Sequence, residues 1–195
     1  MPDALIRKVM TISIDNPAWL DAVVDWQRRY VTDEDRVTLT ITLARENVVR
    51  ETGGPFGAAV FEAATGRLVA AGVNSVVRLR NSALHGEMVA LMLAQQRVGS
   101  FTLAAPGSPV HELVSSCELC AMCLGAVLWS GVKRVVSGAD REDAMRVGFD
   151  EGPVFPESYR YLEERGIEIV RGVLAQEARA VLRLYGSRGG RIYGG

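Results

Sequence analysis

The chain predicts an α/β fold of three layers, a five-stranded mixed sheet with helices on both faces. Two patterns lead there. Short apolar runs bounded by turn residues alternate with longer helical stretches. The first two runs are joined by a turn alone, giving a hairpin, whereas later runs are separated by helices. The length also fits, since 195 residues with 48% hydrophobic content allow one domain with a sizeable core.

Each element has its own signal. Val37, Leu39, Ile41, Leu43 and Val48 recur through 33–51, a helix whose β-branched residues lower its intrinsic propensity. Gly53-Gly54-Pro55 breaks it, and 56–61 reads as a buried strand. Ala63-Ala64-Thr65-Gly66 turns the chain into a second strand over 67–73. Then follow a helix over 85–98 ended by Gly99, a strand over 110–115, and a helix over 118–130 ended by Gly131. A strand over 132–137, a helix over 156–165 stopped by Gly166, a strand over 167–173 and a helix over 176–185 complete the order. The expected organisation is an N-terminal arm (1–32), one domain (33–185) and a flexible tail rich in glycine and arginine (186–195).

Net charge is −1, from 22 basic and 23 acidic residues, which argues against a nucleic-acid partner held by phosphate contacts. Residues 1–20 hold no long apolar run, so neither a signal peptide nor a membrane span is expected. All three cysteines fall between Cys117 and Cys123. An odd, close-packed set is no disulfide framework and fits a reducing cytoplasm, with thiolates kept for metal.

His85-Gly86-Glu87 and Cys117-Glu118-Leu119-Cys120-Ala121-Met122-Cys123 carry the chemistry. Cys120 and Cys123 are spaced to share a helical face near a helix start, where the partial positive charge favours thiolate. His85 opens another helix, so two helix N-termini meeting at one zinc would join His85, Cys120 and Cys123 and leave a fourth position for water. Zinc lowers the pKa of bound water to roughly 7. Glu87, too near His85 to be a second ligand on one face, suits a proton carrier. His-x-Glu followed by Cys-x-x-Cys is the signature of zinc-dependent base deaminases. Two other readings stay open: Cys117 closing a four-ligand structural site, or a redox pair. His111 reads as a surface or packing residue.

From about Thr38 to Val173 the chain resembles the cytidine and nucleobase deaminase superfamily, and within it bacterial guanine deaminases. Wobble-adenosine tRNA deaminases and yeast-type cytosine deaminases are cousins. The likeness rests on Gly53 to Ala58, Asn74, His85 to Glu87, Ser115 to Ala126 and Gly148-Phe149-Asp150. It implies a cytidine deaminase-like fold, zinc on His85, Cys120 and Cys123, Glu87 as proton shuttle, and removal of the exocyclic amine of a small purine-like base, guanine first. It further implies that Asn74 hydrogen-bonds the ring and that the Phe56, Gly57 and Ala58 backbone forms a pocket wall. Asp150 would approach the base edge. Tyr193, near the chain end, would close over a partner's pocket in a swapped homodimer. Plainer roles stand beside these: Asn74 as a strand cap, Phe56 as core, Asp150 and Tyr193 as bystanders.

The chain departs from the family pattern at Gly86 (usually alanine), at Leu119 (usually proline) and over Asn81-Ser82-Ala83-Leu84, where Asn81 and Leu84 are expected at the pocket mouth. Gly86 adds backbone freedom worth roughly 1 kcal/mol within a helix. These departures keep two rivals in play: a tRNA adenosine, cytosine or nucleoside deaminase, and a zinc-stabilised binding module without catalysis.

Overall fold

Strand β1 (Gly57–Glu62) is apolar at nearly every position because both its faces are covered. Ala58 and Val60 enter one apolar cluster, Ala59 and Phe61 the other. The computed structural model describes residues 11–193; residues 1–10 of the expected arm and 194–195 of the expected tail lie outside the described residues. Before β1 come α1 (Leu20–Val23) and α2 (Asp33–Val49). The Thr32 hydroxyl accepts from the Asp35 amide, and Asp33, Glu34 and Asp35 complement the α2 dipole. After it come β2 (Leu68–Val73), α3 (Val76–Leu79), α4 (Gly86–Val98), β3 (His111–Cys117), α5 (Ala121–Ser130), β4 (Arg134–Ala139) and α6 (Arg141–Val147). The chain closes with α7 (Pro156–Glu164), β5 (Glu168–Val170) and α8 (Ala175–Ser187).

The sheet order is β2-β1-β3-β4-β5, with β1 antiparallel to both neighbours and β3, β4 and β5 mutually parallel. Helices α2 and α8 cover one face, α4 and α5 the other, so the expected three layers and mixed sheet are present. Two strand glycines set the layer spacing. A Cβ at Gly57 would sit 2.5 Å from Thr40 O of α2, and one at Gly72 would sit 2.6 Å from Gly86 O of α4. Close approach at Gly72 holds the first turn of α4, which carries the site, against the sheet.

Several boundaries differ from expectation. Helix α5 begins at Ala121, after an extended 118–120 segment with Leu119 buried. Strand β5 keeps only three residues, because Gly172 and Leu174 take positive φ and turn the chain toward α8. Helix α6 was not expected, although Asp140 caps its start (2.7 Å to the Asp143 amide) and Gly148 ends it. The described part of the arm packs onto the sheet: Leu20, Val24 and Tyr30 are buried beneath α2, and Asn16 Nδ2 donates to Ala71 O of edge strand β2 at 2.8 Å. The tail to Tyr193 is likewise tied down rather than projecting, since the Tyr185 hydroxyl donates to Arg191 O at 2.5 Å.

One charged group lies within the α2 face. Glu112 on β3 is fully buried and meets Arg36 at 2.6 Å and Arg134 at 3.0 Å, while Arg134 also holds Asp33 at 2.7 Å. These contacts tie α2 to strands β3 and β4.

Candidate active site

His85 is the N-cap of α4 and Cys120 the N-cap of α5, with Cys123 a turn further on. Gly72 under α4 and the parallel β3–α5–β4 crossover bring these two helix starts together. His85 Nδ1 lies 3.5 Å from Cys120 Sγ and 3.8 Å from Cys123 Sγ, and the three ligand atoms lie within 4.8 Å of one another. One imidazole and two thiols form the soft N/S set that suits zinc. Among the described residues no fourth His, Cys, Asp or Glu joins this group. Cys117 points to the other side of the sheet, where its Sγ donates to Asp140 O at 3.4 Å, so the closed four-ligand reading is overturned. All three cysteines are free, and no disulfide links Cys120 to Cys123.

Electrostatics agree with a cation here. The hydrogen bond from Cys123, opposed by burial and helped by His85, lowers the Cys120 thiol to about 4. Cys123, donating to Cys120 and buried, is raised well above the usual thiol range. Burial opposes the charged form of His85, but the Cys120 hydrogen bond and charge raise it overall.

Glu87 sits in the first turn of α4 and is buried. Its Oε1 accepts from the Ser115 hydroxyl at 2.6 Å, and Cys123 Sγ lies 3.5 Å from Oε2. Burial, then the Cys120 charge, raise its carboxyl above the ordinary value. A second carboxyl, Glu151, faces the same cleft. Burial, and after it the charges of Cys120 and Glu87, push it up to about 8. Its backbone carbonyl accepts from the Ala121 amide at 2.9 Å, tying the loop to the start of α5.

The cleft is lined by Phe56, His85, Glu87, Glu118, Cys120, Phe149, Asp150, Glu151 and Tyr193. Phe149 packs edge-on against Phe56 (4.9 Å between centroids) and Tyr193 (5.2 Å). Tyr193 enters the cleft of its own chain and leaves about 40 Å³ free, enough for water and too little for a purine. Asn74 is fully buried; its Oδ1 accepts from the Val76 amide at 3.3 Å, and its Nδ2 has no partner. The Tyr193 hydroxyl lies beside that amide, and it too has no hydrogen-bond partner.

Of the residues singled out from sequence, His85, Glu87, Cys120, Phe56, Asp150 and Tyr193 line one cleft, with Cys123 beneath them and Asn74 beside Tyr193. Gly57 and Ala58 do not line it, which corrects the expected backbone wall. Gly57 N donates to the Ser116 hydroxyl and Ala58 is paired between Gly72 and Ser115 inside the sheet. Asp150 is exposed at the rim, where its carboxylate accepts from the Gly152 amide at 2.9 Å, so the acidic group aimed inward is its neighbour Glu151. Asn81 and Leu84 do not reach the cleft; the Leu84 carbonyl accepts from Ser75 N. His111 is buried packing, its Nδ1 set 2.7 Å from Leu103 O. A Cβ at Gly86 would come within 3.2 Å of Phe56 O, so the missing methyl relieves a tight contact.

A model of the cytidine and deoxycytidylate deaminase zinc-binding region matches residues 31–139, and the chain belongs to that family of zinc-dependent deaminases. Within the family it is similar to the guanine deaminase of Bacillus subtilis (strain 168), with 35% identity over 136 residues, covering 70% of this chain and 83% of that one. The solved guanine deaminase from Nitrosomonas europaea is 42% identical with a TM-score of 0.87, covering 91% of this chain and 97% of that one. NE0047 in complex with 2,6-diaminopurine is 43% identical with a TM-score of 0.88, covering 94% and 97%. The chloroplastic tRNA(adenine(34)) deaminase of Arabidopsis thaliana shares 30% identity over 125 residues, which is 61% of this chain and 9% of that protein.

Proposed function

We propose that this chain hydrolyses the exocyclic amine of a guanine-like purine base, guanine itself first, and releases ammonia. The carrying observation is the His85, Cys120 and Cys123 group set against the buried Glu87 carboxylate, in a chain similar along nine-tenths of its length to a solved guanine deaminase. His85, Cys120 and Cys123 would hold the zinc. Bound there, zinc supplies Lewis acidity that brings the pKa of a water to roughly 7.

The chain's own groups do the rest. Water oxygen replaces the amine nitrogen on the ring carbon, so one proton must reach the ring and another the departing nitrogen. Glu87, anchored through Oε1 by Ser115, carries protons on Oε2. Glu151, facing the same cleft with its carboxyl pushed up chiefly by burial, donates to the leaving amine. Asn74 Nδ2 donates to an acceptor on the ring. Phe56 and Phe149 flank the ring, and Asp150 stands at the rim. Tyr193 gives way to the base and then covers it, excluding water.

Two wider readings accompany this. A homodimer is supported by the open face of α5, where Trp129 is 78% exposed beside half-exposed Met122 and Gly125 has nothing above it. No helix among the described residues is long and apolar enough to cross a membrane, and three free cysteines favour the cytoplasm. In domain terms we read 33–185 as the deaminase unit, with 1–32 as an arm and 186–195 as a tail that meets the site.

Zinc-loaded protein should release ammonia from guanine, and little from adenosine, cytidine, cytosine or tRNA. Full zinc occupancy with no release from any base overturns the reading. Light scattering should give twice the mass of one chain.

A further inference from the structure

We propose that Asn47 is a positioning residue that sets the donor wall of the base pocket, and that Trp19 of the N-terminal arm, through Thr52, fixes which way the Asn47 amide points. This rests on the reading of Asn74 as a contact to the base.

Asn47 lies on the covered face of α2 and is fully buried, an unusual place for an amide. Its three side-chain hydrogen bonds explain it. Asn47 Nδ2 donates to Gly54 O at 2.9 Å and to Asn74 O at 3.0 Å, joining the loop before β1 to the end of β2. Its Oδ1 accepts from the Thr52 hydroxyl at 2.7 Å, and that hydroxyl accepts from Trp19 Nε1 at 3.0 Å.

The chain of donors has one direction. An indole N–H only donates, and a hydroxyl carries a single proton. Trp19 occupies one lone pair of the Thr52 hydroxyl and holds it so that its proton lies on Asn47 Oδ1. The Asn47 N–H groups then face two carbonyls; a flipped amide would set an acceptor against both.

The effect reaches the pocket through Asn74. The Asn74 amide donates to Phe56 O at 2.9 Å, its carbonyl accepts from Asn47, and its Oδ1 accepts from Val76. Three of its polar groups are therefore taken, and Nδ2 alone is left beside Tyr193. The pair is pressed from below by Gly53, where a Cβ would strike Asn74 O and come 2.6 Å from Asn47 Nδ2. Without the tie from Asn47, the Asn74 backbone is held on one side only.

The test is a mutant cycle on the full, zinc-loaded chain, read by KM and kcat for guanine and by calorimetric affinity for 8-azaguanine. Thr52→Val should raise KM and weaken 8-azaguanine binding roughly threefold to tenfold, the worth of one part-buried hydrogen bond. Zinc content should hold and kcat stay within about twofold. Trp19→Phe should shift KM the same way, and Thr52→Ser should restore it. In an Asn74→Ala background, Thr52→Val should change KM no further, because the two act through one atom. Wild-type KM in both Thr52→Val and Trp19→Phe, or an equal rise with and without Asn74, overturns the proposal. If Asn74→Ala leaves KM and affinity unchanged while guanine is still turned over, the base-contact reading falls, and this inference with it.

Discussion

Ser115 and Glu87 meet at 2.6 Å beneath the cleft, one from β3 and the other from the first turn of α4, with the hydroxyl donating to Oε1. A buried carboxylate with one oxygen anchored keeps a fixed aim for the other. Here that second oxygen faces Cys123 and the cleft.

Glu87→Gln should keep the metal and lose activity by about a hundredfold to ten-thousandfold, the span typical of a general acid–base group. Cys120→Ala should lose zinc and activity together. Cys117→Ala should spare zinc, since its sulfur lies across the sheet. Elemental analysis beside an ammonia assay separates the three outcomes, and a zinc loss in Cys117→Ala would count against the three-ligand site.

Gly54→Ala tests whether the tail occupies the cleft. A methyl there collides with the Tyr193 hydroxyl, the far end of a side chain that can swing away. Nuclear Overhauser contacts between the Tyr193 and Phe149 rings, 5.2 Å apart between centroids, should therefore weaken while the amides of β1 and β3 stay protected from exchange. No Tyr193–Phe149 contact in the wild type, or an unchanged one in the variant, would place the Tyr193 hydroxyl elsewhere in solution.

Glu112→Ala should destabilise the fold by about 3–5 kcal/mol, because it removes the close carboxylate partner of the buried Arg36 guanidinium and leaves it the Tyr30 and Ala63 carbonyls, with Asp33 at 3.8 Å. Denaturant unfolding of the zinc-loaded variant measures it. A loss below about 1 kcal/mol would show that those remaining acceptors suffice to hold the Arg36 charge.

Arg67 governs an acid-linked part of stability at the β1–β2 turn. Its hydrogen bond to Glu62, opposed by burial and aided by Thr65, lowers the Glu62 carboxyl to about 2. A depressed carboxyl stabilises the fold above its unfolded value near 4.5, and that contribution fades as pH falls toward 2. Arg67→Leu should flatten stability across that window. Arg67 is largely exposed, so added salt should shrink the difference. Parallel pH curves for variant and wild type would remove the assignment.

Much of the fold and of the metal group was legible in sequence, because those signals are local. Apolar runs, terminal glycines at 99 and 131, and the spacing of Cys120 from Cys123 each speak within a few residues. What was missed depends on contacts made at long range. Asp150 and Glu151 are adjacent acids on one extended loop, and only the tertiary path decides which turns inward. Gly57 and Ala58 look like a pocket wall until strand pairing buries them. Two signals were present but unused. Asp140 with Gly148 brackets α6, and Asn47 interrupts the apolar side of α2 next to Leu43, Ala44 and Val48. An amide in such a row asks what it bonds, and the answer lay outside its own helix.

The carbonyl of Glu151 caps the same helix turn that presents Cys120. Loop and metal-bearing turn therefore order as one unit, and neither can be redesigned alone. Loop exchanges meant to retune substrate choice will also alter metal retention, and chelated protein will lose its recognition surface along with its reactivity.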